Sequence, residues 1–389
     1  MASLNRCIKS FSDTYLGVSV LLVLTVVSTG RAEVLPFFDP SHITQKQTAS
    51  FVALQGFIAE DPLSLKDFFD EWGGDYHPRS GNNAAMEFLR ADTGMLYEGY
   101  YVGYFYQKDV LLESSRGFVD GYHTLQNDIS VARSEDYDLL LGIRGIEQQG
   151  MLIASSWKIW EESDHIVTIG AGAYLSNVMD IQSGILRGKG TIAPDDTYSA
   201  QGVADYRFSD NLLYDGWNYD VLEDGWGYGF HIALAYQNRA YGIEIHAIVN
   251  DLFARSIWYR LPHSVVNVKS ENLSSDDNGY DVQKPTVWGR ESYDDYTFDI
   301  PKKIHIGIQK TITNNMVLEV GYEEIAYIHI PYVNMRMLWE DQVVTFGYET
   351  RFDTFSLKYR YDHFECILRS NGLEDASAVG IGLSYLYTF

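Results

Sequence analysis

The end of the chain constrains its fold more than any other stretch. From Ala378 to Phe389, Val379, Ile381, Leu383, Tyr385, Tyr387 and Phe389 alternate with Gly380, Gly382, Ser384, Leu386 and Thr388. Side chains on a strand point to opposite faces in turn, so this segment is a strand with one oily, aromatic face and one small, mostly polar face. The same rhythm runs through Tyr198–Phe208, Trp226–Gln237, Tyr241–Asn250, Ile304–Ile312 and Phe355–Asp362. Val203 is an exception to it.

Two architectures produce such strands. A soluble sandwich buries the apolar face and wets the other. A transmembrane barrel turns the apolar face to lipid and the polar face to a lumen. The segments are about ten residues long, which is what a tilted strand needs to cross hydrocarbon. Aromatics gather at their ends, including Trp226, Tyr236, Tyr241, Phe346, Tyr348, Phe352 and Phe355, as interfacial girdles do. The polar faces carry charges at mid-strand (Glu244, Glu319, Lys358, Arg360), which suits a wet interior.

Composition excludes several other classes. With 53 Asp+Glu against 29 Lys+Arg the net charge is −24, the wrong sign for a nucleic-acid binder. Two cysteines cannot build a disulfide scaffold or a Cys-rich zinc site. The 29 Tyr and 19 Phe favour strands. At the N-terminus, Arg6 and Lys9 precede the apolar run Leu16–Val27, and small residues follow up to Ala32. That run is shorter than a spanning helix, so residues 1–32 read as a secretory signal peptide cut after Ala32. An uncleaved anchor is the alternative.

The exported start, the alternating strands and the ending Tyr385-Leu386-Tyr387-Thr388-Phe389 together resemble a Gram-negative outer-membrane β-barrel protein. The resemblance implies an all-β, transmembrane, antiparallel up-and-down barrel in the bacterial outer membrane. It implies that Tyr385, Tyr387 and Phe389 form the signal read by the barrel-assembly machinery. Other implied partners are the lipid bilayer, lipopolysaccharide and a small or hydrophobic solute. No nucleic acid and no cofactor are implied. A fainter likeness to FadL-type transporters of hydrophobic substrates rests on Ile300-Pro301 leading into Lys303–Thr311, on Asn314-Asn315 and on Met316–Tyr322. The Asn-Pro-Phe plug motif of that family is absent, and Leu35-Pro36-Phe37-Phe38 stands near its place.

Strands are expected near 84–92, 95–107, 137–146, 150–160, 165–177, 181–192, 198–208, 226–237, 240–250, 303–312, 316–326, 342–352, 354–364 and 378–389. That makes about 14, within a range of roughly 12 to 16, since single-chain bacterial barrels use even numbers. Residues 254–270 could add a hairpin. Residues 33–83 do not read as barrel. They hold a helix over Pro62–Gly74, with Ser64 and Asp67 placed to cap it and Leu65, Phe68, Phe69 and Trp72 on one face. This segment is a lumen plug, a periplasmic helix or a plain terminal extension, and residues 84–389 form the barrel. Residues 108–136 read as an excursion. If the C-terminus ends in the periplasm, the tight connections 238–240, 313–315 and 352–354 fall there. The long connections 209–225, 251–302, 327–341 and 365–377 then fall outside. The first two are strongly acidic, which suits cation attraction or solvated loops bridged to lipopolysaccharide.

Strand phase places Glu244, Glu319, Glu323, Glu349, Arg351, Lys358, Arg360 and Asp362 in the lumen. There they would set selectivity, hold a plug, or simply pair with one another. His231 and His246 would face each other if the hairpin turns at Asn238-Arg239, and His305 shares their phase, which suggests a zinc or copper site. Ordinary lumen hydrogen bonding is the alternative. Catalysis is not expected, because His263-Ser264 and Asp362-His363 are strand neighbours that point to opposite faces. The reading is of a channel or transporter for small or hydrophobic solutes, with passive passage through a mixed-charge lumen. An accessory barrel of an envelope assembly or export system, without an open pore, is the alternative. A monomer is favoured because girdle residues occur on strands all round.

Overall fold

The first and last strands of the chain are hydrogen-bonded to each other, and this closes the sheet. The computed structural model describes residues 38–43, 48–69, 72–194, 198–210, 224–270, 273–275, 281–283, 287–372 and 374–389. The expected signal peptide lies outside them. Strand β1 (Ala49–Glu60) pairs antiparallel with β18 (Ala378–Thr388) from Ala49↔Thr388 to Ala59↔Ala378. On its other side it pairs with β2 (Asn83–Tyr97). The wall continues through β3 (Tyr100–Ser114), β4 (Glu135–Glu162) and β5 (His165–Ile192).

At the next position two segments share the edge of β5. Here β6 (Tyr198–Phe208) pairs with its upper half and β7 (Gly225–Asn238) with its lower half. Both then pair with β8 (Ile243–Lys269). A second split follows, with β11 (Val287–Asp299) and β12 (Lys303–Thr313) both on β8. The short strands β9 (Leu273–Ser275) and β10 (Asp281–Gln283) pair only with each other. The circuit finishes with β13 (Met316–Ile325), β14 (Ile328–Trp339), β15 (Gln342–Glu349), β16 (Phe355–Tyr361) and β17 (Phe364–Ser370). Sixteen segments thus fill the 14 positions of a closed antiparallel barrel.

The two ends of the barrel differ. At the end that carries the C-terminus, strands join through tight turns. Glu98 and Gly99 have φ values of 47° and 84°, the pair of positive angles that a type I′ hairpin needs. Ser163, Glu340 and Asp362 also have positive φ in two-residue turns. The opposite end carries the longer connections, including the helix Arg116–Gln126 and the short helix Leu65–Phe69. Its height is uneven. Strands β4 and β5 have 28 residues each, whereas β16 and β17 have 7. At ~3.3 Å per residue the tall side is about 90 Å along the strand, far more than the ~10 tilted residues that cross hydrocarbon. The tall wall therefore stands clear of a bilayer at the end away from the termini.

The outside is apolar where the pattern demands it. Val52, Val102, Ile153, Leu234, Ile306, Val320, Phe346, Leu357 and Ile381 are all exposed on the outer face. Inside, apolar side chains form two separate clusters. One joins Phe57, Met86, Phe88, Leu111, Ile248, Ile325, Ile330 and Phe352. The other joins Phe38, Tyr101, Phe105, Leu152, Tyr174, Trp258 and Phe298.

Several expectations are corrected. Residues 49–60, placed outside the barrel by their sequence, form β1. Both its faces are apolar, so alternation is hidden: Phe57 belongs to the inner cluster and Val52 to the outer face. The expected pairs 137–146/150–160 and 165–177/181–192 are single long strands, and the apparent break is a bulge. Glu147 faces Asp180 while Gln148 faces Val178, leaving Met179 unpaired. Residues 198–208 and 226–237 share one position. Three over-counted strands thus offset three missed ones, β1, β14 and β17. Residues 251–302 are not one loop, since β8 runs on to Lys269 and β11 starts at Val287; 254–270 is the upper part of β8, not an extra hairpin. Residues 327–341 and 365–377 contain β14 and β17. Because β17 intervenes, the 352–354 connection lies at the end opposite the C-terminus. Within 108–136, β3 extends to Ser114 and a helix follows.

Candidate functional site: the sealed lumen

Residues 38–43, N-terminal to β1, lie inside the barrel. Asn250 of β8 clamps the backbone there. The Phe38 N–H donates to Asn250 Oδ1 at 2.7 Å and Asn250 Nδ2 donates to the Phe38 carbonyl at 2.8 Å. The Phe38 ring packs on Tyr101 and His231, with centroids 5.2 and 5.4 Å away. A single helical turn, Pro40–Ile43, follows. Asp39 starts it by accepting from Ser41 N at 2.9 Å and Ser41 Oγ at 2.6 Å. The turn rests on bare backbone, since a Cβ on Gly170 would come within 2.5–2.6 Å of Pro40 C and Ser41 N. Of the 33–83 segment, then, residues 38–43 occupy the lumen. The helix Leu65–Phe69 does not. Ser64 Oγ caps it by accepting from Asp67 N at 3.2 Å. The helix packs against Val119 and Tyr122 of the second helix, at the end away from the termini. It is shorter than the expected Pro62–Gly74.

Beside and above the plug an ionic network crosses the lumen. Arg90 forks onto Asp92 with two 2.8 Å bonds and donates to Gln107 at 3.0 Å. Gln107 donates to Asp109 at 2.6 Å. Lys303, from the far wall, meets Asp109 at 2.7 Å and Asp251 at 3.8 Å, and Asp251 accepts from Tyr174 at 2.9 Å. All these groups are buried. Buried charges are tolerated when each has a partner and its hydrogen bonds are made, and this chain of contacts supplies both. None of these residues was singled out from the sequence. The available signal was the spacing Arg90/Asp92 on a segment read as strand; Gln107/Asp109 repeats it, but Asp109 fell in the stretch 108–136 read as an excursion.

A second polar cluster joins β8, β12, β13 and β14. His246 Nε2 and His305 Nε2 are 2.7 Å apart. Glu319 Oε1 lies 3.6 Å from His246 Nε2 and accepts from Tyr332 OH at 2.8 Å. Glu323 Oε1 lies 3.3 Å from His305 Nδ1. The expected partner His231 is not here. The hairpin turns over Arg239–Gly242, so His246 faces Ala235, and bulges around Phe230 shift the register further. His231 instead packs between Phe38 and Tyr174. Among the described residues, the set whose ligand atoms converge is His246, His305 and Glu319.

The remaining expected lumen residues divide. Lys358 is buried and ion-paired with Glu365 at 2.8 Å. Glu244 and Arg360 share the inward phase but are only partly buried. Glu349 sits at the upper rim and accepts from the backbone N–H groups of Arg351, Phe352 and Thr354 at 2.7–3.2 Å, which pins the 350–354 connection. Two expectations fail. Arg351 belongs to that connection and pairs with Asp61 at 2.5 Å. Asp362 is an exposed turn residue beside His363. Tyr385 is on the outer phase of β18, and Tyr387 and Phe389 are exposed with ring centroids 5.0 Å apart. Most of the acidic stretch 209–225, and residues 276–280 of the other, lie outside the described residues.

Above the sealed region the tall wall lines a half-open cavity of about 620 Å³. Its apolar lining includes Leu111, Ile143, Ile185 and Ala326, and its polar lining includes Glu113, Arg144, Asp205 and Arg207. Tyr327, at the tip of the β13–β14 hairpin, lines it too and has a buried hydroxyl without a hydrogen-bond partner among the described residues. Burial raises the Tyr327 pKa, so the hydroxyl keeps its proton. Nearby, His263 is held between Asp205 and Asp294. Ser264 donates to Glu291 on the other face of the strand.

A closed wall with an apolar outside and a charged, paired inside defines a membrane-spanning β-barrel of the outer-membrane type. No protein-family model matches the sequence, and no curated protein matches it. Among solved structures the chain is similar to the toluene transporter TodX of P. putida, at 11% identity over 93% of this chain and 95% of that one, with a TM-score of 0.34. It is similar to a FadL homologue of Pseudomonas aeruginosa (8% identity, 91% and 93% covered, TM-score 0.24). It is also similar to the outer-membrane protease OmpT of Escherichia coli (11% identity, 88% and 97% covered, TM-score 0.21). Likenesses this loose carry no functional argument.

Proposed function

We propose that the protein is a gated channel of the bacterial outer membrane that admits a small, largely hydrophobic solute with one polar group. The single observation behind this reading is the stacking of a solute-sized cavity above a lumen sealed by a removable segment. A volume of about 620 Å³ falls in the range of small-molecule sites, which pair an apolar lining with a few polar groups. Tyr327 OH, Arg144 and Arg207 supply those groups. Residues 38–43 are held in the lumen by hydrogen bonds and ring packing, and their one covalent link to the wall is the chain's own run into β1, so they can swing out. With the termini in the periplasm, the cavity faces outward and the plug inward. Passage is therefore gated, in contrast to the passive flow expected for an open mixed-charge pore, because the lumen charges are committed to one another. Solute binding is tested by tryptophan and tyrosine fluorescence of the purified barrel titrated with small aromatic and aliphatic alcohols. Saturable binding weakened by Tyr327→Phe supports the reading, and no saturable binding contradicts it.

A second reading is a structural barrel without passage. The observation favouring it is the number of buried ion pairs that fill the lumen. Conductance separates the two, as set out in the Discussion.

A further inference from the structure

The geometry points to a divalent transition-metal site inside the barrel wall, formed by His246, His305 and Glu319, with zinc as the fitting ion. This is independent of the transport reading. The three residues come from neighbouring strands in a register that puts them on one inner face. His246 is opposite Gly307, two residues from His305, and Glu319 is opposite Gln309. Their ligand atoms all lie within 4.8 Å of one another. Zinc bonds of about 2.0–2.1 Å in a tetrahedron place ligand atoms roughly 3.3 Å apart. Of the three edges, 2.7 Å between the imidazoles and 3.6 Å from His246 to Glu319 bracket that spacing, and the third, from His305 to Glu319, is within 4.8 Å. Small side-chain rotations therefore suffice to seat an ion.

The surroundings of the donors strengthen the case. A metal-bound histidine commonly presents its other nitrogen to a carboxylate, which fixes the ring and raises its basicity. Glu323 takes that place at His305 Nδ1, 3.3 Å away. Tyr332 OH orients the Glu319 carboxylate through Oε1. Arg336 approaches the other oxygen, Oε2, at 3.8 Å. The His246 ring lies over bare backbone at Gly307, where a Cβ would collide with its Nε2 and displace it from the cluster. Two imidazoles and one carboxylate suit zinc, copper or nickel better than magnesium or calcium, which prefer all-oxygen sets. The competing account of the 2.7 Å contact is a proton shared between the two rings, with no metal.

The test uses the mature full-length chain, refolded from urea into detergent with cobalt or zinc and then freed of loose metal by gel filtration. Heat-modifiable gel migration reports folding. The site predicts one bound equivalent and the intense visible bands of tetrahedral cobalt. It predicts a loss of affinity of about 100-fold or more for His246→Ala and for His305→Ala, and of roughly 10-fold or more for Glu323→Gln. His363→Ala, at an exposed turn, leaves binding unchanged. Folded protein that retains no metal, or that shows only octahedral cobalt, overturns the proposal in favour of the shared proton. If the histidine variants do not fold, the stoichiometry and cobalt spectrum of the unmutated chain decide alone.

Discussion

Asn250 and Phe38 are 212 positions apart in sequence, yet one side-chain amide satisfies both the N–H and the carbonyl of the other residue's backbone. The contact resembles one rung of a sheet and is made inside the lumen. It joins the segment that enters the barrel to the strand where two neighbours change over, since β12 pairs with β8 up to Asn250 and β11 begins at Arg255.

Asn250→Ala should free that segment while leaving the wall intact. The change removes two buried hydrogen bonds and orphans both backbone groups, a cost of about 1–3 kcal/mol to the docked state. The check is maleimide labelling of a Ser41→Cys reporter in a Cys366→Ser background. Labelling should be slow with Asn250 and many-fold faster with alanine. Equal rates would show that the clamp does not hold the plug.

Lys358 and Glu365 form a buried pair at 2.8 Å on adjacent strands. Lys358→Met alone should cost about 3–5 kcal/mol in urea unfolding of the detergent-folded barrel, because it leaves a buried carboxylate without its cation. Lys358→Met combined with Glu365→Leu should recover most of that loss. Additive losses in the double variant would contradict the pairing.

The connection after β1 should be sensitive to pH. Burial pushes the Asp61 carboxyl up to about 6, against the opposing pull of Arg351. Its folded pKa is thus above its unfolded value of 3.8. The folded state binds this proton more tightly, so the group's contribution is full below about pH 4 and is lost as pH rises through 6. The difference is on the order of 2–3 kcal/mol. Hydrogen exchange over residues 61–82 should be slower at pH 5 than expected from its pH 7.5 rate, and Asp61→Asn should remove that difference. An unchanged pH profile in the asparagine variant would contradict this cause.

Gly321→Ala should disturb the histidine cluster without touching a ligand atom. A Cβ there would run into the Tyr332 hydroxyl, which orients Glu319. Overpacking of this kind costs typically ~1–3 kcal/mol. Thermal unfolding should drop accordingly, and Tyr332→Phe in the same background should restore part of the loss. No drop would mean that Tyr332 has room to move.

The legibility of the sequence follows from what each strand faces. Where one face meets lipid and the other a polar interior, as in Ala378–Phe389 or Trp226–Gln237, alternation shows and the strand was read correctly. Where the inner face is also apolar, alternation vanishes. This hid β1, with Phe57 inside, and β14, with Ile328 and Ile330 inside. Pro331, which cannot donate to a ladder, further disguises β14. It is tolerated because β14 rises above its neighbour there, and pairing with β15 begins only at Tyr332. Residues 147–149, left between two expected strands, are strand, because the bulge at Met179 absorbs the mismatch in the partner instead. In the lumen, phase identified the inward side of Glu319, Glu323, Lys358 and His305. It could not give partners across the barrel, such as Lys303 with Asp109, because those depend on strand tilt and curvature. One miscounted turn was enough to pair His231 wrongly, since a register slip moves every facing residue.

The most direct test is conductance in planar bilayers, comparing residues 33–389 with a form that begins at residue 48. The intact barrel is expected to stay closed, and removal of the plug to produce discrete, steady conductance steps. An intact barrel that conducts steadily, or a folded plug-less barrel that does not conduct at all, would contradict the gated channel.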